Sequence, residues 1–189
     1  MMLPRRHLLL GLFAVGLLQT TVLGWMVYDR IRLLTHGREV VLPIVPVDPR
    51  DLFRGEYVRL GYDISRLKTS LLVGPAPKPN AAFYVTLERG EGGAWLPVQI
   101  SAAQPAEVAE SRIVLKGRTR YARAFSGAET AFVRYGIESY FVPEGKGRQL
   151  ETLARDKKLA AILAVDRAGN AAIKGLMIDG APVYSEPLL

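Results

Sequence analysis

The chain has 189 residues, 25 basic against 18 acidic side chains, a formal charge of +7 and no cysteine. Without cysteine there are no disulfides, thiolate metal sites or cysteine nucleophiles; the redox compartment stays open, because an oxidising environment permits disulfides without requiring them. Once an apolar N-terminal run is set aside, the remaining length suits one domain with a real core.

That run comes first. Leu8 to Tyr28 are 21 residues without a formal charge, and at about 1.5 Å of rise per residue a helix of this length spans a hydrocarbon layer of about 30 Å. Gln19, Thr20 and Thr21 are its polar interruptions, and Trp25 and Tyr28 match an interfacial aromatic belt. The expected organisation is a tail and transmembrane anchor over 1–28, a juxtamembrane linker over 29–38 and a β-rich domain over 39–189. The lipid bilayer is thus the first expected partner, through residues 8–28. Arg5 and Arg6 before the run face Arg30, Arg32 and Arg38 after it, so the positive-inside count is balanced. A short basic tail ahead of an apolar run is how a signal anchor starts, which favours an inner (cytoplasmic) membrane protein, N-terminus inside and domain outside. A cleaved signal peptide would want an Ala-x-Ala site and a shorter apolar run. A twin-arginine signal rests on Arg5-Arg6 alone.

Beyond the anchor, Glu39 to Val47 reads as a strand running into a turn at Asp48-Pro49, and Gly55 to Ile64 as a second strand. Ile64, Leu67 and Leu71 have helical spacing, so a short helix is predicted there. Ala82 to Glu88 and Ala94 to Ile100 form a hairpin around Glu91-Gly92-Gly93. Ser111 to Arg120 and Thr130 to Val142 are two more strands. Arg148 to Lys158 is a helix with Leu150, Leu153 and Ala154 on its apolar side. Leu159 to Val165 and Ala171 to Ile178 close the chain as a hairpin. The fold class is therefore mainly β with one clear helix, an antiparallel sandwich or barrel-like domain behind a single N-terminal transmembrane helix.

The densest local pattern runs from Asp48 to Tyr62. Asp48 and Asp51 are turn acids, and Gly55 supplies a left-handed φ where the strand begins. Strand alternation puts Val58, Leu60 and Tyr62 on one face, as core, and Tyr57, Arg59 and Gly61 on the other, as a surface for a partner. The candidate partner-binding residues are Asp48, Arg50, Asp51, Arg54, Gly55, Glu56, Tyr57 and Arg59. Here the chain resembles the GDYXXLXY family of bacterial proteins: Gly55, Tyr57, Leu60 and Tyr62 match the motif, and Glu56 stands where the family name has Asp. The longer Glu56 side chain puts any fixed hydrogen bond of the family acid in question. The resemblance extends through Tyr140 to Arg148 and the final hairpin. It implies a membrane-anchored envelope protein found alongside multipass membrane proteins, one of which is the expected partner, and it implies no activity.

Most catalytic chemistry is disfavoured. The two histidines, His7 and His36, flank the anchor, so neither a Ser-His-Asp triad nor a histidine metal site can be built inside the domain. Membrane-anchored signal peptidases use a serine just after the anchor, and 29–62 holds none. Asp48, Asp51 and Glu56 leave an envelope hydrolase as the alternative function, since paired acids serve general acid and base roles. Gly145-Lys146-Gly147 lacks the spacing of a phosphate loop. No catalytic residue, cofactor or metal is assigned. From Arg112 the alternation places Arg112, Lys116, Arg118 and Arg120 on one strand face, a candidate surface for an anionic partner, either lipid headgroups or an acidic protein. Nucleic acid is disfavoured, because no recognition motif accompanies the charge and acidic residues are interleaved with it.

Overall fold

The computed structural model describes residues 5–45, 57–78, 80–119, 125, 127–141 and 147–185. Helix α1 (Arg5–His36) opens the chain, and its stretch from Leu9 is long and apolar enough to cross a membrane. The large apolar side chains between Leu9 and Tyr28 are exposed. Thr20 and Thr21 donate their hydroxyls to the carbonyls of Gly16 and Leu17, at 2.9 and 2.8 Å, which is how a hydroxyl is satisfied where water is absent.

The helix does not stop where the apolar run stops. Residues 29–38, expected as a linker, are helical as far as His36, because Leu33 and Leu34 pack on Ala164 and Ala172. Those alanines face each other across two paired strands, and their small side chains leave a shallow seat for the helix. The amide of Gly37 then closes on the Leu33 carbonyl at 2.9 Å. A side chain at Gly37 would lie 2.5 Å from that carbonyl oxygen and 3.0 Å from both Ala164 Cβ and the Val165 amide, so the turn from helix to sheet has no slack.

The strands follow as β1 (Arg38–Pro43), β2 (Tyr57–Arg59), β3 (Arg66–Lys68), β4 (Leu72–Val73), β5 (Ala82–Arg89), β6 (Trp95–Ser101), β7 (Arg112–Arg118), β8 (Thr130–Phe132) and β9 (Ser139–Phe141). After helix α2 (Gly147–Arg155) come β10 (Leu159–Val165), β11 (Ala171–Ile178) and β12 (Ala181–Ser185). One antiparallel sheet has the order β1-β10-β11-β12, and a second has the order β4-β6-β5-β7, antiparallel except for the parallel β4/β6 pair. Two short ribbons, β2/β9 and β3/β8, complete the described strands. The sheets share one hydrophobic core, with Val40, Leu42 and Leu163 from the first, Phe83, Val85 and Leu115 from the second, and Leu150 and Ala154 from α2. The fold is mostly β with antiparallel sheets, as expected, and the sheets stay open rather than closing into a barrel.

The free edge of β7 is covered in two places. The Lys116 amide donates to the Gly169 carbonyl at 2.7 Å, so the β10–β11 turn caps one sheet with the other, and Arg118 exchanges backbone hydrogen bonds with Arg134. Covering the edge removes a template for pairing with another chain.

Further expectations change, and the strand expected from Gly55 to Ile64 is, among the described residues, β2 followed by an isolated bridge at Gly61 and a 3-10 turn that begins at Asp63. Ile64, Leu67 and Leu71 do not form one helix: 3-10 turns at Asp63–Ser65 and Thr69–Leu71 flank β3. Ile64 and Leu67 are buried all the same, so the spacing marked core positions and misassigned the backbone between them. The strand predicted from Thr130 to Val142 is two, β8 and β9, interrupted at Gly136, whose φ is +84°. Strand β12 follows Gly180 and pairs with β11; Pro182 within it masked the signal.

Leu34→Ala should lower the unfolding free energy by about 2 kcal/mol, the lower end of the range for buried leucines, since this cluster is small. Gly37→Ala should speed amide exchange over residues 31–36 by prying the helix end from β10. Unchanged exchange there would mean that the joint can yield.

Candidate functional site

The segment around the sequence motif lies against the segment 130–141. Ribbon β2/β9 and ribbon β3/β8 run along the same two stretches of chain, yet between them, from Leu60 to Ser65, the regular ladder fails. The gap is bridged in other ways. Leu60 donates its amide to the Glu138 carbonyl at 3.0 Å, and Val133 donates to the Ser65 carbonyl at 2.9 Å. Inside the core, Tyr62 Oη donates to the Ile137 carbonyl at 2.9 Å, and Tyr135 Oη donates to the Ile64 carbonyl at 2.7 Å. Each segment thus lends the other one phenol.

Glu138 shapes the turn from which Tyr135 projects. Its carboxylate accepts the Tyr135 amide at 2.6 Å and the Gly136 amide at 3.1 Å, bonds strengthened by the acceptor's charge. Burial pushes the Tyr62 and Tyr135 phenols far above the usual value, and the nearby Glu138 charge pushes them further the same way. Both stay protonated donors at any physiological pH.

Strand alternation holds where it can be followed: Leu60 and Tyr62 are buried, while Arg59 is exposed. Two motif positions are therefore structural. A family model described as GDYXXLXY protein matches residues 19–176. The chain belongs to the GDYXXLXY protein family. No curated protein and no solved structure matches it. Of the last two motif residues, Leu60 fills the core and Tyr62 ties the motif segment to the Ile137 backbone.

The remaining candidates divide. Asp48, Arg50, Asp51, Arg54, Gly55 and Glu56 lie outside the described residues. The backbone of Tyr57 pairs with Phe141, and that of Arg59 with Ser139. Phe141 is 80% exposed. It lines a cavity of about 140 Å³ together with Arg30, Gly136, Ser139, Tyr140 and Ile173. The motif ribbon therefore sits beside the helix two residues past Tyr28.

The basic face of β7 also divides. Arg112 donates its Nε to Glu88 at 3.0 Å and does not line the groove that Lys116 and Arg118 help to form. Arg120 lies outside the described residues. That groove, of about 590 Å³, is lined by Lys116, Arg118 and Arg134, with Asn80, Tyr135 and Glu138 among its walls. Arg134 was not foreseen, because no local pattern shows that it pairs with a residue so far back in the chain. Its approach depends on Gly117, where a side chain would meet Val133 Cγ1 at 2.6 Å. Among the described residues, no trio of His, Asp or Glu comes together as a metal site.

The buried phenols give the fold an alkaline limit. Below the ordinary phenol value of about 10, they are protonated in folded and unfolded chains alike, and their contribution is complete. Above it the unfolded chain releases protons that the folded chain keeps, so stability should fall by about 1.4 kcal/mol per pH unit for each tyrosine. Denaturant unfolding from pH 8 to 11.5 should show that decline. The Tyr62→Phe/Tyr135→Phe variant should start lower, by about 1 to 3 kcal/mol for each carbonyl left unpaired, and decline less steeply. A double variant with the parent's slope would assign alkaline unfolding to other groups.

Proposed function

We propose that this protein is a membrane-anchored cell-envelope protein whose domain lies outside the cytoplasmic membrane and engages a multipass membrane partner without catalysis. The observation that supports this most directly is the position of the motif ribbon beside Arg30. Asp29 and Arg30, the first charges past Tyr28, stand where α1 would leave the hydrocarbon, and Arg30 is about 3 Å past Tyr28 along the helix axis. A ribbon at that level, bearing the exposed Arg59 and the 80% exposed Phe141, stands where an integral membrane protein presents its outer loops. Aromatic and arginine side chains carry much of the energy of such contacts. The docked end of α1 adds to this reading, since a fixed joint presents the ribbon at one height and in one orientation.

Orientation is tested with Ala76→Cys, an exposed loop position in a chain with no other cysteine. A membrane-impermeant thiol reagent should label it in intact spheroplasts; labelling only after lysis would reverse the topology.

Partner binding is tested with a photo-crosslinking side chain at Phe141 in intact membranes, which should give a discrete adduct with one multipass protein. Tyr57→Ala with Arg59→Ala should remove the adduct at little cost in stability. Leu60→Ala should instead destabilise by about 2 to 5 kcal/mol. An adduct that survives the Tyr57/Arg59 variant would remove the motif face from the interface.

A further inference from the structure

Arg118 and Arg134 stand directly opposite each other. They form an antiparallel bridge, with the Arg118 amide on the Arg134 carbonyl at 2.8 Å and the reverse bond at 2.9 Å. In such a hydrogen-bonded pair the Cα atoms are about 5.5 Å apart and the side chains leave on the same face. Like charges in that relation destabilise a sheet. Lys116, two residues before Arg118, adds a third cation to the same groove. None of the three enters an ion pair among the described residues, where the pairs are Arg112 with Glu88, Lys158 with Asp179 and Lys174 with Glu39. Glu138, the carboxylate that lines the groove among the described residues, accepts two backbone amides. The groove thus gathers three cations against one carboxylate, and among the described residues none of the three cations is held in an ion pair.

We propose that Arg118, Arg134 and Lys116 form a binding site for the phosphate of an anionic phospholipid headgroup. Two guanidinium groups side by side offer paired N–H donors that match phosphate oxygens, and a bound phosphate turns their repulsion into attraction. The groove volume of about 590 Å³ is within the range of about 300–1,000 Å³ for small-molecule sites, with room for the glycerol or sugar that a headgroup carries. The lipid source, which rests on the membrane-anchored reading above, follows from position. Gly136 lines both this groove and the smaller cavity that Arg30 and Phe141 line, so the site adjoins the level at which α1 leaves the apolar layer. Lysine and arginine side chains held within about a Debye length of a surface that carries anionic lipid are drawn to its headgroups.

The experiment uses the full chain in a neutral detergent, with thermal unfolding followed as short-chain phosphatidylglycerol is added. Short-chain phosphatidylcholine and inorganic phosphate serve as separate arms, and salt extraction of native membranes checks the anchor independently. Phosphatidylglycerol should raise the unfolding temperature by several degrees in a saturable way that weakens with salt, and the other two should have little effect. Arg118→Gln and Arg134→Gln should each abolish the rise, whereas Arg89→Gln, an exposed arginine on β5 away from the groove lining, should keep it. Without lipid, Arg134→Gln should unfold no lower than the parent, because one member of a repelling pair is gone; loss of response is then not loss of folding. An equal rise with inorganic phosphate would overturn the lipid assignment. A rise that persists in both groove variants, or no rise at all, would overturn the site.

Discussion

Two buried phenols do what a continuous ladder would otherwise do. The stretches 57–68 and 130–141 pair at both ends, but in the middle their backbones diverge, and carbonyls left there in the core would each cost about 1–3 kcal/mol. Tyr62 reaches Ile137 and Tyr135 reaches Ile64, so each stretch satisfies one carbonyl of the other. Both rings also fill core volume. The exchange ties the motif ribbon, the Gly136 turn and the strand position of Arg134 to one another across the core.

The same exchange sets a conflict beside the core. Holding Val133 and Tyr135 inward leaves Arg134 outward between them, by alternation, and its partner across the bridge is Arg118. Gly117 removes the side chain that would keep the strands apart. A fold selected for stability alone has easy remedies here, since a glutamate at either position would convert repulsion to attraction. Local rules broken at a cost in stability are expected at functional sites, and like charges at opposed strand positions break one.

Alternation made much of the fold legible. β10 and β11 run over the residues that their apolar periodicity marked, and α2 shows its apolar side at Leu150 and Ala154. The buried assignment of Leu60 and Tyr62 followed from the same rule. What stayed hidden depended on contacts distant in sequence. The polar residues after Tyr28 read as a linker because the seat made by Ala164 and Ala172 lies far down the chain. Gly136 was lost in a β-rich run, as one glycine among Ile, Tyr, Phe and Val. For the groove, Lys116 and Arg118 were visible as alternate charges on one strand; Arg134 was not, since only the folded pairing brings it there.

The tight turn at Gly37 couples two movements that a flexible linker would separate. A membrane-spanning helix tilts when its apolar length exceeds the thickness of the bilayer around it. If α1 spans a membrane, its end on the sheet through Leu33 and Leu34 and the next residue, which admits no side chain, would turn tilt into a swing of the domain. The motif ribbon and the arginine pair would then ride on a lever whose angle reports local bilayer thickness.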